Sequence, residues 1–259
     1  MAVKLHATER GKGPPVVLLH GLFGSGSNLG ALARALQEHF SVFSVDLPNH
    51  GDSPWLEDAD LAAMAGTLSA WLQHQGLARA DFVGHSLGGK VAMQLALARP
   101  ELVSALVVAD IAPVAYPPHH DTVFAALDAV AAAHCRSRQE AAELMQGYLQ
   151  EEQVIQFLLS NLRPAGDGTY RWRFNLEGLK RGYHAVRAEP AASGNYPGQV
   201  LFIKGGDSDY IRAEHRSHIL HLFPRAQLKV MPGCGHWLHV QRPSLFNSLV
   251  SRFLRDVAT

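Results

Sequence analysis

The sequence predicts an α/β protein, a mainly parallel sheet with helices covering both faces. Two observations carry that reading: short β-branched or apolar runs alternate with longer stretches of helical period, and turn residues mark the junctions. The strands fall at Val16 to Leu19, Ser41 to Val45, Asp81 to Val83, Ala105 to Ala109, Gln199 to Ile203 and Gln227 to Met231, with Val3 to Thr8 as an edge strand. Helices fit between them. Asn28 caps one that runs to Gln37, Leu61 to Gln75 has apolar residues spaced near 3.6, Leu87 to Ala98 follows the Asp81 strand, and Pro243 to Val257 closes the chain.

Between Tyr116 and Pro197 the alternation stops. Four helices are expected there without intervening strands: Asp121 to His134, Ser137 to Gln150, Glu151 to Leu162 and Leu176 to Arg187. Ser137 and Glu140 have capping-box spacing, while Pro117, Pro118, Pro164 and the Gly166-Asp167-Gly168 turn punctuate the segment. The expected organisation is a core of residues 1–115 and 198–259 interrupted by a helical lid over 116–197, since long insertions in compact α/β domains often cover a site.

At 259 residues, 47% of them hydrophobic, the chain can bury one core of the larger α/β type. Lys plus Arg and Asp plus Glu both number 23, so no general attraction to nucleic acid or anionic membrane is expected, and the partner should be a small molecule. Met1, Ala2, Val3 and Lys4 open no apolar leader, and no apolar run is long enough to span a bilayer, which suggests a cytoplasmic protein. Cys135 and Cys234 stand far apart in no CxxC pattern and are expected to be reduced thiols.

Gly84-His85-Ser86-Leu87-Gly88 matches G-x-S-x-G directly after a strand and before a helix, the context a nucleophile elbow requires. Ser86 is the candidate nucleophile. The turn is so tight that Ser86 should adopt a strained backbone, which glycines two residues to either side tolerate. The helix beginning at Leu87 directs free N–H groups toward the place where an oxyanion would form. His20-Gly21-Leu22-Phe23-Gly24 follows another strand and would supply the second oxyanion amide, from Leu22 as first choice or from Phe23.

Gly233-Cys234-Gly235-His236-Trp237 follows the last strand, so His236 is the candidate general base, with His239 the nearest competitor. Three aspartates at strand ends compete as the acid: Asp110, Asp207 and Asp209. The common slot follows the strand after the insertion, but counting through Gly205 to Ile211 puts Ser208 there, with Asp207 and Asp209 to either side. Asp110 is favoured by its expected burial. A carboxylate placed after five apolar or small residues needs a partner to offset desolvation, and an imidazole N–H is one.

These motifs, on the α/β-hydrolase fold that the elbow implies, carry a resemblance to a family. His20-Gly21-Leu22-Phe23-Gly24-Ser25, Asp46-Leu47-Pro48-Asn49-His50-Gly51, Gly84-His85-Ser86-Leu87-Gly88-Gly89-Lys90, Asp110-Ile111-Ala112-Pro113-Val114 and Gly235-His236-Trp237 span nearly the whole chain. Together they resemble the small bacterial acyl esterases related to mammalian alpha/beta hydrolase domain-containing protein eleven. Val154-Ile155-Gln156-Phe157-Leu158-Leu159 and Trp172-Arg173-Phe174-Asn175 resemble that family's lid. The resemblance implies short-chain ester or thioester substrates and an acid at Asp110, with Gly-Gly-Asn-Ser where this chain has Gly205-Gly206-Asp207-Ser208.

The expected activity is hydrolysis of small acyl esters or thioesters through an acyl-enzyme, without a cofactor. Rival readings are a carbon–carbon bond hydrolase or lyase on the same fold and a non-catalytic binder of a small ligand. The His119-His120 pair and His215, His218 and His221 raise a metal enzyme, but the last three progress around a helix and no HExxH or Cys/His cluster is present.

Overall fold

The computed structural model describes residues 4–191 and 193–258. Up to the interruption the chain runs β1 (Ala7–Arg10), β2 (Pro15–Leu19), α1 (Gly30–Leu36), β3 (Ser41–Val45), α2 (Leu61–His74), β4 (Ala80–His85), α3 (Leu87–Ala98) and β5 (Val103–Ala109). Helices α4 (Asp121–Ala133), α5 (Arg138–Gln146) and α6 (Glu152–Leu159) follow, then strands β6 (Leu162–Pro164) and β7 (Tyr170–Trp172), then α7 (Leu176–Val186). The core resumes with β8 (Gln199–Gly205), α8 (Arg216–Leu222), β9 (Ala226–Met231), α9 (Leu238–Gln241) and α10 (Pro243–Ala258).

Seven strands form one sheet in the order β1-β3-β2-β4-β5-β8-β9, and all neighbours are parallel except β1 against β3. Successive strand residues point to opposite faces, and both faces are apolar. Val16 and Leu18 face a layer made by α1 and α10, through Leu32, Leu36, Phe246, Val250 and Leu254. Val17 and Leu19 face the other layer, where α2, α3 and the interruption contribute Leu68, Val91, Leu127 and Leu158. The sheet is thus fixed on both sides, and its carboxyl ends present loops at one edge, the usual site of chemistry in such folds.

Several sequence expectations need correction. The interruption is not purely helical, because β6 and β7 pair antiparallel across the Gly166-Asp167-Gly168 turn. Each strand is only three residues long, too short to give a period. The helices expected to reach Gln150 and Leu162 stop at Gln146 and Leu159. Asn28 lies within a 3-10 turn, where its Oδ1 accepts from Ser25 N–H, and α1 begins two residues later at Gly30. The edge strand is Ala7–Arg10, not Val3 to Thr8, and Val3 lies outside the described residues. Ser137 caps α5 by accepting from Glu140 N–H, while the Glu140 carboxylate reaches Arg136 N–H, not that of Ser137. Among the described residues no helix is long and apolar enough to cross a membrane.

One buried cation fastens the interruption to the core. Lys90, 2% exposed on α3, donates from Nζ to Val114 O at 2.8 Å, Arg187 O at 2.7 Å and Ala188 O at 2.6 Å. Val114 lies just before the 116–197 segment, and Arg187 and Ala188 lie after its last helix, so a single ammonium ties the approach to the segment to its C-terminal part. Hydrogen bonds to charged groups contribute about 1.5–3 kcal/mol each, and orphaned buried acceptors cost comparably. Lys90→Met is therefore expected to lower the unfolding free energy in urea by at least about 2 kcal/mol; an unchanged midpoint and slope would contradict this anchoring.

Candidate active site

Ser86 sits between β4 and α3 with φ 51° and ψ −117°, the strained geometry expected of an elbow. Its N–H donates to Ala109 O at 3.0 Å, locking the turn to the end of β5. The flanking glycines are sterically required. A Cβ on Gly84 would lie 2.3 Å from Gly88 O, and one on Gly88 would lie 2.3 Å from Leu19 O. Leu87 is the first residue of α3, so its N–H has no helical acceptor.

The His20–Gly24 loop is held by two neutral imidazoles. His20 donates from Nδ1 to Gly21 O at 2.8 Å and accepts from Leu47 N–H at 3.0 Å. His50 donates from Nδ1 to Pro48 O at 2.9 Å and accepts at Nε2 from Phe23 N–H at 3.1 Å. The Phe23 amide is thereby taken, and Phe23 itself has φ 61°. The Leu22 N–H has no protein acceptor among the described residues, and Leu22 lines the cavities that hold Ser86.

His236 lies on the loop after β9, and its Nδ1 donates to Asp110 Oδ2 at 2.8 Å. Asp110, fully buried at the end of β5 with φ 50°, also accepts from Ser208 Oγ at 2.5 Å on Oδ2 and from Gly205 N–H at 2.9 Å on Oδ1. Asp207 and Asp209 are exposed, and neither carboxylate meets His236. Ser208, in the slot where an acid was sought, instead supports Asp110. His236 shares a cavity of about 360 Å³ with Ser86, without a direct hydrogen bond between the two side chains among the described residues. Such contacts often close only when substrate is bound.

Sequence reasoning did not single out the groups that steady His236. His85 Nε2 donates to His236 O at 2.9 Å, and the Tyr210 ring stacks on the imidazole at 4.1 Å and 23°. Their signal was positional only: His85 is the first x of the elbow, and Tyr210 follows Ser208 by two residues. Burial keeps His85 uncharged, pushing its pKa well below the ordinary histidine range, with His239 and His236 adding to the effect.

The interruption contributes Val154, Phe157 and Leu158 to the lining of this cavity, and Phe157 packs against Trp237. A second, smaller cavity of about 40 Å³ meets the first at Ser86 and Leu22. Neither His119-His120 nor His215, His218 and His221 belongs to a metal-ligand group among the described residues. His6, Asp46 and Asp52 do approach one another. There Asp46 already accepts from Gly26 N–H and Asp52 N–H, and Arg173 pairs with Asp52, so that cluster is a structural knot.

A sheet of this order carrying a serine on a strand-to-helix elbow and a histidine hydrogen-bonded to a buried aspartate defines the α/β-hydrolase class. The family model described as "Alpha/beta hydrolase family" matches residues 16–249, and the chain belongs to that family. It is 42% identical over 244 residues to the esterase YbfF of Escherichia coli K12, covering 93% of each chain. It is 41% identical over 249 residues to the sn-1-specific diacylglycerol lipase ABHD11 of Mus musculus, covering 93% of this chain and 81% of the relative. A solved structure described as a marine microorganism esterase superposes with a TM-score of 0.94 at 34% identity, covering 97% and 99% of the two chains.

The buried imidazoles set a pH dependence of stability. Burial lowers His50 from 6.5 to about 3, with His20 adding to it, and lowers His239 from 6.5 to about 4, with His236 adding to it. Below pH 6.5 the unfolded chain's histidines take protons that these native ones refuse, so protons favour unfolding. Their contribution is complete above that pH and is lost on acidification toward the folded values, at up to about 1.4 kcal/mol per pH unit for each group. Urea unfolding should therefore give a smaller free energy at pH ~5 than at pH ~7; an equal or larger value at the lower pH would contradict these assignments.

Proposed function

We propose that the protein is a serine esterase acting on small acyl esters or thioesters in the cytoplasm, by a two-step acyl-enzyme mechanism. The observation that carries this reading is the hydrogen bond from His236 Nδ1 to the buried Asp110 carboxylate. It fixes the tautomer in which His236 Nε2 is free to accept a proton. Ser86 Oγ then attacks the carbonyl while His236 takes its proton, and the Leu22 and Leu87 N–H groups hold the oxyanion. The Leu22 assignment is supported by the Phe23 amide's engagement with His50. The imidazolium gives its proton to the leaving oxygen or sulfur. Water, deprotonated by the same imidazole, hydrolyses the acyl-Ser86 ester and regenerates the hydroxyl.

In this reading the 116–197 segment acts as the lid, with Val154, Phe157 and Leu158 forming its apolar underside. The partner is a small molecule and no cofactor enters any step. The relatives' names, esterase and diacylglycerol lipase, support ester hydrolysis as the reaction class.

Asp110→Asn is expected to lower kcat by roughly 10³–10⁴, the scale on which a serine hydrolase loses activity when its histidine is held in the wrong tautomer. Asp207→Asn should retain kcat within about threefold, because its exposed carboxylate touches none of the reacting groups. Circular dichroism must show both variants folded, since Asp110 also joins strand ends. A folded Asp207→Asn enzyme that is crippled while Asp110→Asn turns over normally would overturn the assignment. The acid limb of kcat/KM should have unit slope, because the depressed His85 and His239 stay neutral there; a slope of two would contradict a single base.

A further inference from the structure

The smaller cavity beside Ser86 has a wall of imidazoles and phenols, and tracing their protons identifies the one imidazole donor left free. His119 Nδ1 lies 2.9 Å from Pro117 O, which can only accept, so that nitrogen carries the proton and Nε2 is bare. Tyr210 Oη accordingly donates to His119 Nε2 at 2.6 Å. Tyr116 Oη accepts from Ala112 N–H at 2.8 Å and donates to Tyr210 O at 2.5 Å. Tyr183 Oη accepts from His119 N–H at 3.4 Å and donates across 2.5 Å to His120 Nδ1. His120 is held neutral by burial, with His119, His236 and Arg187 nearby, which lower its pKa to about 3. Its proton therefore sits on Nε2, which has no protein acceptor among the described residues and is not enclosed. His120 lines both cavities at Ser86, so this N–H opens on the reaction site.

A cationic side chain flanks it. Arg187 also lines the smaller cavity, and no carboxylate does among the described residues, so the wall is net positive toward a ligand acceptor. The wall thus offers an imidazole N–H that the protein itself leaves without a partner among the described residues and that a ligand acceptor can take in place of water.

The two cavities also divide the substrate, if the hydrolytic reading above holds. His236 lines the larger cavity and not the smaller, whereas Leu87 lines only the smaller. The leaving group must sit where the imidazolium can protonate it, so it occupies the larger cavity. The acyl chain then enters the smaller one, whose volume of about 40 Å³ corresponds to roughly three water-sized groups. We propose that this smaller cavity is an acyl subsite selecting short acyl chains that carry an acceptor oxygen near the scissile carbonyl, with His120 Nε2–H as the residue that reads that oxygen.

The test compares ethyl methoxyacetate with ethyl butanoate, an isosteric pair in which an ether oxygen replaces a methylene. Each kcat/KM is divided by the ester's hydroxide-catalysed rate constant to remove intrinsic reactivity. The wild-type enzyme should prefer methoxyacetate by about 5–10-fold, the discrimination one neutral hydrogen bond supplies. His120→Phe should abolish that preference, and His120→Gln, which keeps a donor, should restore most of it. The ratio is readable from any residual activity, so it separates a lost contact from a general loss of turnover. A wild-type ratio of one or below, an unchanged ratio in His120→Phe, or a Gln variant that behaves like Phe would overturn the proposal. Failure of the wild type to hydrolyse either ester would instead overturn the hydrolytic reading on which it rests.

Discussion

The site is organised around one buried carboxylate. Asp110 has no exposed surface, and an ion so placed is tolerated only if its oxygens are matched by donors. The donors it recruits come from three places: Gly205 at the end of β8, Ser208 in the turn beyond it, and His236 after β9. Each bond that relieves the charge also fixes a strand end. The sheet must present β5, β8 and β9 in adjacent positions, and it does. Removing the carboxylate therefore affects the architecture as well as the imidazole's tautomer.

Around that centre the backbone is held in conformations that only local sterics and tight anchoring allow. Phe23, Ser86 and Asp110 all have positive φ; Ser86 and Asp110 directly follow β4 and β5, and Phe23 lies in the loop after β2. Such strain persists where surrounding contacts over-determine the chain. Here those contacts are the Phe23 amide on His50, the Ser86 amide on Ala109 and the Asp110 amide on Ile203 O at 2.8 Å. Lys90 extends the same logic outward by tying the 116–197 segment to α3 through three carbonyls.

Much of this was legible in the sequence, for identifiable reasons. Strands buried on both faces read as apolar runs, and the elbow reads as glycines flanking a serine because Cβ atoms at Gly84 and Gly88 cannot fit. The position of Asp110 after an apolar strand correctly implied burial, although spacing could not choose among three aspartates, because the choice depends on which strand ends are neighbours. Ser208 looked like a defect in the pattern until the fold brought its hydroxyl onto Asp110. That the Phe23 amide is engaged was illegible, since its acceptor is His50, 27 residues further on. The β6–β7 hairpin was missed because two three-residue strands leave no periodicity. His119 and His120 stood out as a pair but suggested a metal. Their actual partners, Tyr210 and Tyr183, lie 91 and 63 residues away.

The proposed mechanism requires Ser86 to form the covalent acyl intermediate. Intact-mass spectrometry after treatment with a fluorophosphonate, followed by peptide mapping, tests it most directly. A single stoichiometric adduct on Ser86 is the predicted result. An adduct at any other residue, or none on an enzyme that still hydrolyses esters, would contradict it.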